Sequence, residues 1–211
     1  MTERPAPWKR RSFGFHVQLE AWSGIVERLR GTPVRARALA SGSGDERLGR
    51  RPDPRSWSAK EHIGHLLDLE PLDVRRLAQY LAGAETLSAA DPTNHATESA
   101  HHNAKPIETI LGALASGRAE LVRRLETLSE ADLVRSALHP RLQQPMRLID
   151  WAHSVAEHDD HHLASASAVL KPSIVVAPPT TGALRHPERV DGIALVPAVS
   201  YGIAAKNASV R

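Results

Sequence analysis

Apolar residues recur at steps of three and four along most of the chain, and this spacing constrains the fold more than any other feature. Such a step places apolar side chains on one face of an α-helix, whereas a β-strand needs strict alternation. No alternating pattern is present between the helical segments. Helices that each bury one face predict an all-α four-helix bundle. The predicted helices are 13–30 with a second helix over 32–40, 58–82, 98–128 and 146–170.

Sequence signals for helix N-termini predict where two of these helices begin. Thr32 followed by Pro33 predicts a new helix N-terminus, because proline is favoured at the first helical position. Ser58 and Glu61 form a capping box, in which each side chain can satisfy the backbone N–H of the other. Pro71 lies inside the second long helix and should bend it, since proline removes one backbone hydrogen bond.

The chain divides into a helical part and a tail. Residues 1–171 should form the bundle, with connecting loops at 84–97 and 139–147 that contribute walls to any pocket. From residue 172 onward, prolines and glycines recur and the helical spacing ends. We therefore expect 172–211 to be a C-terminal extension that is non-helical or poorly ordered.

Composition excludes several classes of protein. The 211 residues contain no cysteine but twelve histidines, so a bound transition metal would need imidazole or carboxylate ligands. No run of eighteen apolar residues and no signal-peptide stretch occurs, which leads us to expect a cytoplasmic protein without a membrane partner. The net charge is +3, and the arginines of the N-terminal part are not interleaved with aromatic residues. We expect no nucleic-acid partner.

The histidines of the last helix are the candidate functional residues. At about 100° per residue, His162 faces inward, His158 lies at the edge of the same sector, and His161 falls outside it. Histidines four residues apart can share one ion, as they do in H-E-x-x-H zinc helices, but the glutamate of that motif is missing here. A pair alone would more often hydrogen-bond in the core. The second long helix offers a third ligand, either His62 or His65.

Two segments of the chain carry a resemblance to a known family. Residues 57–66 (WSAKEHIGHL) and 150–163 (DWAHSVAEHDDHHL) resemble the DinB-like (YfiT-like) superfamily of metal-dependent enzymes, over roughly residues 15–170. The resemblance implies a four-helix bundle, commonly a homodimer, with a divalent metal on His65, His158 and His162. Zinc or nickel is the ion it implies first, with iron or manganese as alternatives. His62 matches no ligand position of the family.

Other polar residues face the same side of the helices. Asp159 is expected beside His162, where it could accept the N–H of a ligand histidine, or else be a solvated charge. Glu70 also points inward and could be such an acceptor or a general base. Asp150 should interact favourably with the dipole of the last helix. His101 and His102 open the predicted third helix and could border the site, although capping or surface roles fit them as well.

Three histidines and one open position would lower the pKa of a bound water or thiol. The leading hypothesis is therefore a metal-dependent enzyme that activates a low-molecular-weight thiol or water, for S-transfer to or hydrolysis of a small substrate. The alternative is a helical bundle that binds a metal or ligand without turnover. A di-iron carboxylate bundle is disfavoured, because it needs two E-x-x-H motifs and only Glu98 with His101 provides one.

Overall fold

The long helices of the computed structural model pack into the predicted bundle. The structure describes Trp8 and residues 14–171, so the expectations for 172–211 lie outside the described residues. In the described part, none of the helices combines the length and apolar character needed to cross a membrane. The α-helices are α1 (Trp22–Ala40), α2 (Asp45–Gly49), α3 (Ala59–Leu81), α4 (His95–Ala100), α5 (Ile107–Leu125), α6 (Glu130–Leu133) and α7 (Leu148–Leu170).

Four long helices, α1, α3, α5 and α7, form the bundle. α1 packs against α5 and α7, and α3 packs against the same two helices. The first and second long helices of the chain are therefore diagonal partners, and so are the third and the fourth. The connections that cross these diagonals carry the short helices α2 and α6 and a β-hairpin. Because α3 and α7 are neighbours, the two helices that hold the candidate histidines face each other.

The first bundle helix differs from the prediction, since α1 is continuous across Thr32 and Pro33 and begins only at Trp22. Thr32 is not an N-cap, and its hydroxyl donates to Asp159 at 2.7 Å. Pro33 cannot donate to the carbonyl of Leu29 four residues earlier. That carbonyl accepts from Arg118 of α5 at 3.4 Å instead, which offsets the lost backbone bond.

The predicted third helix, 98–128, is also wrong in extent. The chain forms α4, then a 3-10 turn at His102–Ala104, and only then the long helix α5. His101 adopts a left-handed conformation with φ of 50°, which ends α4. Pro106 precedes α5 and pushes Lys105 into extended backbone, as proline does to the residue before it. The break directs the side chain of His102 towards α3.

A β-hairpin replaces part of the predicted loop before the last helix. Strands β1 (Ser136–His139) and β2 (Gln144–Arg147) pair antiparallel, with Ala137 opposite Met146. Both of these residues are buried in the core. The last helix therefore begins at Leu148 and not at Met146. The hairpin lies over one end of the bundle and contributes His139 and Arg141 to a cavity described below.

The core consists of two apolar clusters separated by a polar layer. Each long helix contributes apolar residues to both clusters, and one polar residue lies between them. The pairs that flank the layer are Leu29 and Ala36 on α1, Leu77 and Leu66 on α3, Leu121 and Leu114 on α5, and Val155 and Leu163 on α7. The layer itself is Thr32, Glu70, Arg118 and Asp159, all buried. Its charged members need internal partners because water cannot reach them.

Candidate metal centre

Three imidazoles converge between α3 and α7. One ring nitrogen from each of His65, His158 and His162 lies within 4.8 Å of the others. The Nε2 atoms of His158 and His162 are 3.1 Å apart. Two ligands at Zn–N distances of about 2.05 Å in a tetrahedral site would be about 3.3 Å apart. The spacing of this pair therefore suits a shared divalent cation, as the four-residue step on α7 predicted.

Hydrogen bonds on the far side of His65 fix its orientation. Its Nδ1 is 2.9 Å from Oγ1 of Thr97, and Thr97 in turn is hydrogen-bonded to Asp68. Burial opposes ionisation of Asp68, but hydrogen bonds from His102 and Thr97 lower the pKa of this carboxyl. An ionised carboxylate can only accept, so the Thr97 hydroxyl donates to Asp68 and accepts from Nδ1–H of His65. This leaves the lone pair of Nε2 directed at the cluster.

His62 takes a supporting position and does not replace His65. Its Nδ1 lies 3.0 Å from Nδ1 of His162, on the side of that ring away from His158. Burial lowers the pKa of His62 to about 4, so the ring is neutral at pH 7 and can accept from Nδ1–H of His162. The sequence left His62 and His65 as alternatives; the structure places His65 in the three-nitrogen cluster and His62 against His162.

His102 reaches Asp68 because Gly64 has no side chain. The ring of His102 is buried, and its Nε2 donates to Asp68 at 2.8 Å. A Cβ atom at Gly64 would lie 2.3 Å from Cδ2 of His102, far inside contact distance. Gly64 therefore allows the ring to lie directly against α3. The support of His65 by Thr97, Asp68 and His102 was not predicted from the sequence. Its one signal there was Gly64, a glycine between two candidate histidines, which allows a neighbouring ring to pack closely.

The clustered histidines are neutral, as metal ligands must be. Burial lowers the pKa of His65 to about 4. Burial is also the main reason why the pKa values of His158 and His162 fall well below 6.5, and the neighbouring histidines lower them further. Since desolvation disfavours the imidazolium form, the lone pairs of these rings are available at pH 7 without proton release.

The structure places Glu70 and Asp159 away from the roles predicted for them. Both carboxylates bind the guanidinium of Arg118, with Glu70 at 2.7 Å, and Asp159 also accepts from Thr32. Neither is hydrogen-bonded to a histidine among the contacts of the described residues. Asp159 is not solvated either, since it is 1% exposed. The reason is electrostatic, because a buried guanidinium on the facing helix α5 requires compensating charge.

Asp150 holds the chain before α1 in place. It lies in the first turn of α7, accepts from the backbone N–H groups of His16 and Val17 at 3.1 and 2.9 Å, and pairs with Arg147. Burial opposes ionisation of Asp150, but the hydrogen bonds from Arg147 and the backbone lower the pKa of this carboxyl. Its position fits the predicted interaction with the helix dipole, and it additionally anchors the segment before α1.

Two indole rings border the histidine cluster. The ring of Trp57 lies 4.9 Å from that of His65, and its Nε1 donates to Glu98 at 2.8 Å. The ring of Trp8 meets that of His158 edge-on at 4.9 Å. These contacts limit the approach of water from two sides.

A cavity of about 430 Å³ opens beside the cluster. His65 and His158 form part of its wall. The rest of the wall comes from Trp8, α3, the loop before α4, the hairpin and α7. A small molecule could therefore reach the ligand nitrogens without displacing core side chains.

Fold and site together define a four-helix-bundle protein whose three neutral imidazoles could hold one metal ion beside a cavity. The chain belongs to the DinB superfamily, whose family model matches residues 28–166.

Among curated proteins, the chain is similar to the uncharacterized protein YuaE of Bacillus subtilis. The two are 22% identical over 140 residues, which cover 61% of this chain and 86% of YuaE. Among solved structures, it is similar to YfiT from Bacillus subtilis, a probable metal-dependent hydrolase with an unusual four-helix bundle topology. The TM-score is 0.67 at 16% identity, over 75% of this chain and 91% of YfiT.

A second similar structure is the mycothiol-dependent maleylpyruvate isomerase. The TM-score is 0.56 at 12% identity, and the match covers 69% of this chain and 60% of the isomerase. At these identities the likeness establishes the shared fold, and the site of this chain must be argued from its own residues.

Proposed function

We propose that the protein is a metal-dependent enzyme that holds one divalent cation on His65, His158 and His162 and acts on a small molecule. The observation that carries the proposal is the convergence of three neutral imidazoles at the wall of a cavity. Zinc and nickel suit a ligand set made only of imidazoles, and iron or manganese would more often recruit a carboxylate. The carboxylates Glu70 and Asp159 are bound to Arg118, so we do not include them in the ligand set.

A cation in this position would act as a Lewis acid and lower the pKa of a water or thiol in its open coordination position. The residues of the chain prepare the site for that chemistry. Thr97 and Asp68 hold the ring of His65, and His62 orients that of His162. Trp57 covers the cluster on one side, so that the cavity is the route by which a substrate arrives.

The reaction that we propose is S-transfer from a low-molecular-weight thiol to an electrophile, or hydrolysis of a small substrate. Both chemistries need a nucleophile deprotonated near neutral pH, which three neutral ligands favour because they leave the charge of the cation uncompensated. YfiT is named a probable metal-dependent hydrolase, and the isomerase is named mycothiol-dependent. These names support the two branches of the proposal.

The alternative function is binding of a metal or ligand without turnover. A cluster closed by protein on every side would favour it. The cavity against His65 and His158 instead favours catalysis, since it leaves room for a substrate. The homodimer that the family resemblance implies stays a prediction, which light scattering on the purified protein would measure directly.

The proposal is tested with protein prepared in zinc-loaded and chelator-treated forms. Each form is assayed for consumption of small electrophiles in the presence of cysteine-type thiols, and for hydrolysis of small esters and amides. We expect turnover by the loaded form, its loss in His162→Ala, and its retention in His153→Ala, a control on the same helix. Turnover that survives both the chelator and His162→Ala would contradict the proposal.

A further inference from the structure

One face of α3 forms part of the cavity wall. His65, Leu69, Leu72 and Arg76 all line it, at intervals of four, three and four residues. Eleven residues rotate the helix by about three full turns, so His65 and Arg76 point to the same side, about 16 Å apart along the helix axis. The cavity therefore has a histidine end and an arginine end.

Arg76 is a buried cation without an ion pair in the described part of the chain. Its side chain is 8% exposed, and its Nε donates to the carbonyl of Ser88 at 3.0 Å. Ser88 is itself held by Gln79, whose side chain accepts from the Ser88 N–H at 2.8 Å. No salt bridge or hydrogen bond of the described residues engages the two Nη groups. With Nε bound to Ser88, the Nη donors of Arg76 are left for a ligand in the cavity that this residue lines.

Arg118, the other buried arginine of the described residues, is compensated by Glu70 and Asp159. Arg147, whose side chain is 30% exposed, pairs with Asp150. Burial lowers the pKa of Arg76, because its guanidinium loses hydration there, although the charge of Asp73 raises it. A buried cation that forms no salt bridge with a carboxylate of the described residues favours the binding of an anion from outside.

The other charged groups at this end leave an excess of positive charge. Arg141, at the tip of the hairpin, lines the same part of the wall. Asp91 accepts from the backbone N–H groups of Thr93 and His95, and these hydrogen bonds hold its carboxylate within its own turn. Asp73, three residues before Arg76 on α3, is the other acidic wall residue. Burial together with the charge of Glu70 raises its pKa to about 7, although the charge of Arg76 lowers it, so that Asp73 is only partly ionised at neutral pH and offsets Arg76 incompletely.

Between the two ends the wall is largely apolar. It is formed by Leu69 and Leu72 of α3, Leu142 and Met146 of the hairpin, and Val155 of α7. A ligand that fits this lining has an apolar body and one charged terminus.

We propose that Arg76, with Arg141, forms a carboxylate-binding subsite, and that the enzyme acts on elongated small organic acids. The carboxylate accepts from the Nη groups of Arg76, the apolar body lies along α3, and the opposite end reaches His65 and His158. This substrate class rests on the proposed function, but the subsite itself does not require the metal. The carboxylate belongs either to the substrate or to the thiol that reacts with it.

The test measures binding by calorimetry to the full-length protein, both as purified and after chelator treatment. Phenylbutyrate and its neutral analogue phenylbutyramide are the first pair of probes, and N-acetylcysteine and its amide are the second. Arg76→Gln and Arg141→Gln are compared with Arg75→Gln, a variant of the exposed neighbour on α3. Arg141 is exposed on a loop, so its replacement cannot unfold the bundle.

We expect the acid of at least one pair to bind about tenfold or more tightly than its amide, with the preference reduced in Arg76→Gln and Arg141→Gln and intact in Arg75→Gln. A preference confined to phenylbutyrate assigns the carboxylate to the substrate, and one for N-acetylcysteine assigns it to the thiol. Equal binding of acid and amide, no binding, or tighter binding of inorganic phosphate would overturn the subsite.

The two proposals fail in different ways. Acid binding that disappears after chelator treatment and persists in Arg76→Gln would mean that the carboxylate sits on the metal, which overturns the subsite and leaves the proposed function standing. Acid binding that survives metal removal and the variant His162→Ala, in a protein that never turns over a substrate, would support the subsite and count against the proposed function.

Discussion

Arg118 offers the sharpest test of how the bundle is held together. It is buried on α5, binds Glu70 and Asp159, and donates to the carbonyl of Leu29. The substitution Arg118→Met keeps most of the side-chain volume and removes the charge. Two carboxylates would then lie in the core without a cation.

The expected loss of folding stability depends on whether those carboxylates stay charged or become protonated. Removing one partner of a buried ion pair typically costs about 3–5 kcal/mol. Protonating a carboxyl of ordinary pKa at pH 7 costs about 4 kcal/mol, which limits the penalty for each group. We therefore expect Arg118→Met to lose about 4 kcal/mol or more at pH 7, and to melt about 10 °C lower.

The stability difference between wild type and Arg118→Met should also depend on pH. Burial already raises the pKa of Glu70 in the presence of Arg118, and removal of the cation should raise it further, so the folded variant binds more protons than the folded wild type. The difference in stability between wild type and variant should therefore shrink as the pH falls from about 7 towards 5.

Urea unfolding followed by circular dichroism measures these differences. Arg123→Met, on the exposed side of α5 and paired only with Glu120 at the surface, is the control and should change stability by less than about 0.5 kcal/mol. Combining Arg118→Met with Glu70→Leu and Asp159→Leu should recover most of the loss, because no buried charge is then left unpaired. A single variant Arg118→Met within about 1 kcal/mol of wild type would refute the reasoning.

Three further predictions concern the surroundings of the histidines. Gly64→Ala should cost about 2 kcal/mol and shift the imidazole NMR signals of His102, because the new methyl group overlaps that ring; unchanged signals would count against the packing. Thr97→Val should weaken zinc binding about tenfold, while Thr97→Ser should not, as competition with a chelator dye would reveal. The pKa values of His65 and His139, each lowered to about 4 by burial, predict that the metal-free protein loses stability as the pH falls from about 6.5 to 4. Urea midpoints that stay constant over this interval would contradict the last prediction.

Local signals in the sequence predicted part of the fold and part of the site. The capping box at Ser58 is present as expected, with Glu61 bonded to the Ser58 N–H at 2.8 Å. The four-residue step from His158 to His162 placed their rings together, because helical geometry fixes such a pair. The third histidine was narrowed to His65 by the family resemblance and not by spacing.

The remaining features depend on contacts between distant segments, which a single sequence does not display. The projection correctly turned Glu70 and Asp159 inward, but their partner is Arg118 on another helix. Pro33 indicated a helix start because proline is favoured at the first helical position. The helix continues through it because Arg118 of α5 donates to the carbonyl that Pro33 leaves without a partner, and no local pattern shows that contact. The hydrogen bond between Thr97 and His65 joins α4 to α3, and no local sequence pattern shows it either.

The metal content of the purified protein tests the central claim most directly. Elemental analysis of wild type should give about one divalent ion per chain, as should the control His153→Ala. His65→Ala, His158→Ala and His162→Ala should each lose most of the ion, while His62→Ala should retain it with weaker affinity. The same metal content in wild type and in all three ligand variants, or none in wild type after zinc loading, would contradict the account.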